Sequence, residues 1–145
     1  MRVVITGATG NVGTALVERL AADPQVGSIV GLCRRVPEWQ PPRTTWVEAD
    51  VATDDLAQLF AGADAVVHLA WLFQPTHRPD VTWQANAVGT VRVLDAVAHA
   101  RVPAFVHASS VGAYSPRQNL QRVEESWPTH GWPEAAYSRE KAYVE

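Results

Sequence analysis

Val3-Val4-Ile5-Thr6-Gly7-Ala8-Thr9-Gly10-Asn11-Val12-Gly13 begins as a β-branched run and stops at a glycine-rich turn. An amphipathic segment follows at once, with Val12, Leu16, Val17 and Leu20 on one face. The stretch reads as strand, tight turn and helix N-terminus, the helix running over residues 11–22 until Asp23-Pro24 breaks it. Unpaired backbone N–H groups and the positive end of the helix dipole meet at such a turn, which makes it a seat for a pyrophosphate. Gly7 lets the chain turn, Gly10 lets the backbone approach the phosphates, and Gly13 lets the helix pack close to the strand. Thr9, Asn11 and Val12 belong to the same candidate binding turn.

Outward from this turn the pattern repeats. Residues 28–33 read as a second strand, 45–48 as a third, 65–70 as a fourth and 104–109 as a fifth. Helices are expected over 54–60, capped by Thr53, over 81–100, and from 134 to the end at 145. Proline-rich loops fill 36–43, 75–79 and 115–133. Strands alternating with helices mean βαβ units, so the fold class is α/β with a doubly wound parallel sheet. Ligands in such sheets bind at the carboxyl ends of the strands, near the switch between the first and fourth.

The chain has 145 residues, enough for one domain with a real core, and is 47% hydrophobic and 19% charged. A net charge of −3 without a basic run argues against a nucleic-acid partner. The single cysteine, Cys33, excludes an intrachain disulfide and suits a reducing compartment. No apolar run approaches the roughly 20 residues of a membrane span. The first residues enter a strand directly, so neither signal peptide nor membrane partner is expected, and a cytoplasmic location is.

The residues just after each strand carry the chemistry. After the second strand, a site for NAD places an acid on the ribose 2′-hydroxyl. Here Cys33 stands in that place, followed by Arg34 and Arg35, whose guanidinium groups suit a 2′-phosphate. NADP is therefore the preferred cofactor, with NAD as the alternative. After the third strand, Asp50 is placed to accept from an adenine amino group while Val51 packs on the ring, unless Asp50 is an ordinary helix-entry acid. After the fourth, Leu69 and Ala70 let the chain pass beneath a cofactor, and His68 reads as a packed strand histidine. Trp71-Leu72-Phe73 either lines a pocket for an apolar substrate group or caps the core. Trp127 and Trp132 are read as near the same cleft. After the fifth come Ser109 and Ser110, and later Tyr137 and Lys141, four apart and so on one helical face. An ammonium beside a phenol favours the phenolate, as general acid–base work on a hydroxyl or carbonyl requires. Ser110 is placed to bond the same substrate oxygen. No cluster with metal-ligand spacing occurs, so no metal is expected.

With these motifs in place, the chain resembles the extended short-chain dehydrogenase/reductases, the NAD(P)-dependent epimerase/dehydratase family that includes the UDP-glucose 4-epimerases. Gly7, Gly10 and Gly13 match its G-x-x-G-x-x-G spacing, Asp50-Val51 its adenine pair, and His68-Leu69-Ala70 its fourth-strand motif. Asn86 matches a helix asparagine that helps order the site, and Ser110, Tyr137 and Lys141 match the catalytic set. Ser115 replaces a glycine of the family, and Cys33-Arg34-Arg35 departs from its NAD pattern. The resemblance implies a Rossmann-like oxidoreductase or epimerase acting on a carbinol or carbonyl carbon. Tyr137 would move the proton, Lys141 would also hold the nicotinamide ribose, and the substrate would be a small molecule of sugar-nucleotide type. A non-catalytic dinucleotide sensor is the alternative. It further implies a homodimer paired through the helices from Val81 and Glu134. Family members continue into a C-terminal substrate domain, so residues 1–145 are expected to be an incomplete binding domain, a fragment or one half of a split chain.

Overall fold

The computed structural model describes residues 1–75, 77–117 and 122–145. Among these residues five strands form one sheet: β1 (Arg2–Thr6), β2 (Ser28–Cys33), β3 (Thr44–Glu48), β4 (Ala65–His68) and β5 (Ala104–His107). Their order is β3-β2-β1-β4-β5, with every pairing parallel. The chain moves outward from β1 to β3 and then returns to β4 and β5 on the other side. This is the doubly wound, Rossmann-like arrangement, with its switch point between β1 and β4. The helices are α1 (Asn11–Ala22), α2 (Ala57–Phe60), α3 (Pro79–Trp83), α4 (Gly89–His99) and α5 (Ala136–Val144). No helix among the described residues is long and apolar enough to cross a membrane.

Side chains of β1 alternate between the two faces of the sheet. Val3 and Ile5 join Val17 and Ala21 of α1 and Ile29 of β2 in one buried layer. Val4 joins Phe60 of α2, Val66 of β4 and Val93 of α4 in the other. Covered on both faces, the inner strands read as apolar runs rather than as alternating ones.

Several boundaries differ from the sequence reading. Val12 is 67% exposed and stands apart from the buried row of α1, which is Gly13, Val17 and Ala21. Its neighbours Gly10 and Asn11 are exposed too, and burial along the helix begins at Gly13. The helix expected over 54–60 shrinks to α2, and Thr53 does not cap it. The Thr53 hydroxyl donates to Asp54 Oδ1, Asp54 Oδ2 accepts from the Asp50 N–H, and Asp55 Oδ1 accepts from the Ala57 N–H. Short acidic side chains bonding to nearby backbone hold this stretch in turns. β4 and β5 each end two residues before the expected limit; the two residues after β4, Leu69 and Ala70, line the cleft instead of extending the strand. The long helix expected over 81–100 begins at Pro79, a residue suited to a first turn, and is interrupted by a π turn, Gln84–Val88. Asn86 lies in that wide turn, wholly buried. Residue 76, in the expected 75–79 loop, and residues 118–121, in the expected 115–133 loop, lie outside the described residues.

Candidate active site

Close backbone contact shapes the turn after β1. Gly7 has φ of 68°, and a Cβ on it would lie 2.6 Å from the Ala70 nitrogen. A Cβ on Gly13 would lie 2.4 Å from the Gly7 carbonyl oxygen, so α1 seats directly on the turn. Gly10 is the N-cap of α1, and no side chain caps the helix. Its carbonyl accepts the first helical bond, from the Thr14 N–H at 2.8 Å. The N–H groups of Asn11, Val12 and Gly13 are thus left without an intrahelical partner at the positive end of a twelve-residue helix.

A cleft of about 250 Å³ opens at this turn. Gly7, Thr9 and Gly10 line it after β1, Leu32, Cys33 and Arg34 at the end of β2, and Asp50 and Val51 after β3. Leu69, Ala70, Trp71 and Leu72 line it after β4, with Ala85 and Asn86 from the π turn. Of the candidate cofactor and catalytic residues singled out in the sequence, Asn11, Val12, Gly13, Arg35, Ser110, Tyr137 and Lys141 are not among its walls. Arg34 is exposed and makes no hydrogen bond or ion pair with another described residue, which leaves its guanidinium available to an anion. Burial raises the Cys33 thiol above its usual range, so a neutral side chain stands where an acid would repel a phosphate. Asp50 Oδ1 accepts from the Ala52 N–H at 2.9 Å. Val51 serves two surroundings, since it belongs to the core under α4 as well as to the cleft wall.

A buried polar chain runs beneath the cleft. The Ala70 N–H donates to Thr6 Oγ1 at 3.3 Å, and Thr6 Oγ1 lies 2.6 Å from His68 Nδ1. His68 Nε2 lies 3.0 Å from Thr90 Oγ1, which donates to the Asn86 carbonyl at 2.5 Å. One direction satisfies every member: Thr6 donates to Nδ1, and Nε2–H donates to Thr90. That direction requires a neutral imidazole. Burial, followed by the positive fields of His107 and Lys141, pushes the His68 pKa down to about 3. His68 is therefore packed in its strand, as its sequence position implies, and stacks on His107 with ring centroids 5.3 Å apart.

The Asn86 side chain is spent on the protein. Its Oδ1 accepts from the Leu72 N–H at 2.6 Å, and its Nδ2 donates to the Leu72 carbonyl at 2.8 Å and to Glu140 Oε2 at 2.6 Å. Read in the sequence as a residue that helps order the site, it borders the cleft and holds the 71–72 loop.

Ser110, Tyr137 and Lys141 gather beyond that loop. Ser110 Oγ accepts from the Gly112 N–H at 3.0 Å. Tyr137 Cε1 and Ser110 Oγ both lie within 3.4 Å of the point a Cβ on Gly112 would occupy, so this glycine lets the two approach. The Lys141 ammonium is not on the Tyr137 hydroxyl, as four-residue spacing alone leads one to expect. It donates to the Ala108 carbonyl at 2.6 Å and lies 3.5 Å from the Trp71 ring centroid. Burial pushes its pKa down to about 8, against the opposing charge of Glu145. Trp71 meets Tyr137 edge-on at 5.8 Å, and Phe73 stacks on Tyr137 at 5.3 Å. The indole N–H of Trp71 is buried and has no hydrogen-bond partner among the described residues. Trp71, Phe73, Tyr137 and Arg139 also line a second cavity of about 410 Å³. Trp127 and Trp132 line neither cavity: Trp127 Nε1 donates to the Ser115 carbonyl, and Trp132 is 51% exposed.

Glu140, Thr82, Thr6 and Thr90 were not singled out in the sequence. For Glu140 a signal exists. Tyr137, Glu140, Lys141 and Val144 share one face of α5, and a packed helix with two charged residues on its inner face needs polar partners. The threonines carry no such signal, because a threonine in a strand or helix is ordinary.

Comparison with known proteins agrees with this geometry. The sequence profile of the "NAD dependent epimerase/dehydratase family" matches residues 3–145. L-Arabinose 1-dehydrogenase (NAD(P)(+)) of Haloferax volcanii is 36% identical over 110 residues, covering 75% of this chain and 41% of that protein. dTDP-glucose 4,6-dehydratase of Streptomyces antibioticus is 30% identical over 164 residues, covering 98% and 46%. A short-chain dehydrogenase/reductase superfamily protein from Agrobacterium tumefaciens, solved with bound NAD, superposes with a TM-score of 0.83 at 28% identity, covering 99% of this chain and 43% of that one. The chain spans less than half the length of each of these relatives.

Proposed function

The chain belongs to the NAD-dependent epimerase/dehydratase family, and from that premise we propose that it forms the dinucleotide-binding half of an oxidoreductase or epimerase acting on a carbinol or carbonyl carbon. One observation carries the reading: Trp71 lines the cleft at the strand ends and also touches both Tyr137 and Lys141. The residues able to move a proton therefore border the space able to hold a dinucleotide.

The residues present fit that group. The uncapped first turn of α1 offers its N–H groups to a pyrophosphate, Gly7 and Gly10 leave room for it, and Asp50 and Val51 face the adenine end. Arg34, free at the rim, accepts a 2′-phosphate, so we assign a preference for NADP over NAD. When bound, the nicotinamide supplies or takes a hydride. The chain's own residues do the rest. The Tyr137 hydroxyl gives or takes the proton of the substrate oxygen, with Ser110 Oγ turned to the same oxygen. Lys141, charged at neutral pH, holds positive potential at that end of the cleft and is placed to reach ribose hydroxyls once Trp71 yields. The relatives act on arabinose and dTDP-glucose by name, which supports a sugar or sugar-nucleotide substrate. We also assign a homodimeric partner surface to α3, α4 and α5, where Trp83, Val91, Leu94 and Tyr143 are exposed.

Tyr137→Phe tests the assignment. Dinucleotide affinity stays at the wild-type value by calorimetry, and turnover of the complete protein falls by about 10²–10⁴, the range of a lost acid–base group. Unchanged turnover removes Tyr137 from the chemistry. Binding without any turnover in the wild type makes the chain a dinucleotide sensor.

A further inference from the structure

Glu140 is 3% exposed, precedes Lys141 and follows Tyr137 by three residues on α5. Among the described residues, no lysine or arginine forms an ion pair with it. Its carboxylate is held by two neutral donors instead: Thr82 Oγ1 donates to Oε1 and Asn86 Nδ2 to Oε2, each at 2.6 Å. A carboxylate inside a protein without a cation is costly, and two short hydrogen bonds recover only part of that cost. Such a group also orders the donors that hold it.

What it holds is the orientation of one carboxamide. A side-chain amide has an oxygen that accepts and a nitrogen that donates, and the two ends are nearly the same shape. A carboxylate accepts only, so Nδ2 of Asn86 must face Glu140 and Oδ1 must face away. In that orientation Oδ1 receives the Leu72 N–H, and the second Nδ2 proton reaches the Leu72 carbonyl. Both backbone groups of Leu72 are thereby fixed. Leu72 follows Trp71, whose ring lies over the Lys141 ammonium and against the edge of Tyr137. The contacts close a loop that begins and ends on α5.

We infer that Glu140 is a positioning residue: its carboxylate locks the Asn86 carboxamide, and through Leu72 it sets where Trp71 stands between the dinucleotide cleft and the Tyr137–Lys141 pair. The functional consequence rests on the dinucleotide reading of the cleft, whereas the lock does not. Glutamine at this position fills the same space but carries no charge, so Asn86 Nδ2 meets a neutral acceptor at best and a competing donor otherwise, and the lock weakens.

The test is Glu140→Gln, followed by nuclear magnetic resonance of the labelled chain and by NADP titration. In the wild type, the Asn86 side-chain NH2 and the Leu72 amide exchange slowly with solvent. In E140Q both exchange faster by about tenfold or more, as expected when a hydrogen bond to a charged acceptor is lost, while the remaining amide spectrum is preserved. NADP affinity falls by about fivefold to tenfold as the Trp71 loop loosens. Thr82→Val, which removes the other donor, leaves the Asn86 signature in place. Unchanged exchange at Asn86 and Leu72 in E140Q overturns the inference, as does a T82V variant that erases the signature equally, since the cluster would then act as bulk packing. A wild-type chain that binds no dinucleotide overturns the proposed function, and the exchange data still decide whether the lock exists.

Discussion

At the residue scale, His68 couples stability to pH. Its folded pKa of about 3 lies below the ordinary 6.5. Between those values the unfolded chain binds more protons than the folded one, so stability rises with pH across that window. The contribution is complete above about pH 6.5 and is lost progressively as the pH falls toward 3. Chemical denaturation at pH 4, 5, 6 and 7 should show this slope, and His68→Gln should flatten it relative to wild type. An equal slope in both proteins would falsify the assignment to His68. Arg34 and Arg35 make a second contrast. Only Arg34 lines the cleft. Arg34→Ala is expected to cut the NADP-over-NAD affinity ratio by about tenfold or more, the order of a lost charge-assisted contact, whereas Arg35→Ala moves it little. Equal ratios in wild type and R34A would remove the NADP preference.

At the element scale, the first helix and the turn beneath it form a single unit. Gly13→Ala would drive a Cβ against the Gly7 carbonyl oxygen and the Ala8 backbone, neither of which is the end of a flexible side chain. The cost should reach about 3 kcal/mol, the upper end for overpacking, read as a lower midpoint in urea. Gly10→Ala differs, because its Cβ would meet only the Gly7 carbonyl oxygen, at 3.3 Å. That variant should fold with a loss of about 1 kcal/mol or less and yet bind dinucleotide poorly, since the methyl occupies the approach of the phosphates. If G10A binds as well as wild type, the pyrophosphate does not sit on this turn. The π turn belongs to the same scale. It widens the helix where Asn86 turns inward, which turns a residue of an amphipathic helix into a brace for the loop opposite.

At the scale of the whole molecule, the parallel sheet gathers the loops that follow its strands at one edge, and there functional side chains distant in sequence meet. Trp71 and Lys141 are 70 positions apart and lie in van der Waals contact. On the outer side, Trp83 of α3 and Tyr143 of α5 pack ring to ring at 4.7 Å while staying exposed, and Val91 and Leu94 are exposed on the neighbouring α4. If this surface pairs two copies, native mass spectrometry of the complete protein should show a dimer, and Leu94→Glu should shift it to monomer. A wild-type monomer at micromolar concentration would end the dimer proposal.

What the sequence by itself determined is what local chemistry dictates. The glycine spacing, the β-branched runs and their alternation with helical patterns specify the strand order class, the turn after β1 and the end of the sheet where a ligand sits. They do so because each depends on neighbours within a few residues: a positive φ at Gly7, a missing Cβ at Gly13, a period of two or of 3.6. Only the tertiary structure decided which members of that list share a surface. It engaged the Asn86 side chain with Leu72 and Glu140 at the cleft wall, put Arg34 but not Arg35 on that wall, kept Trp127 and Trp132 off it, and set the Lys141 ammonium on Trp71 rather than on Tyr137. A side chain's partner is chosen by whichever buried donor or acceptor would otherwise go unpaired, and that choice lies with elements brought together from across the chain.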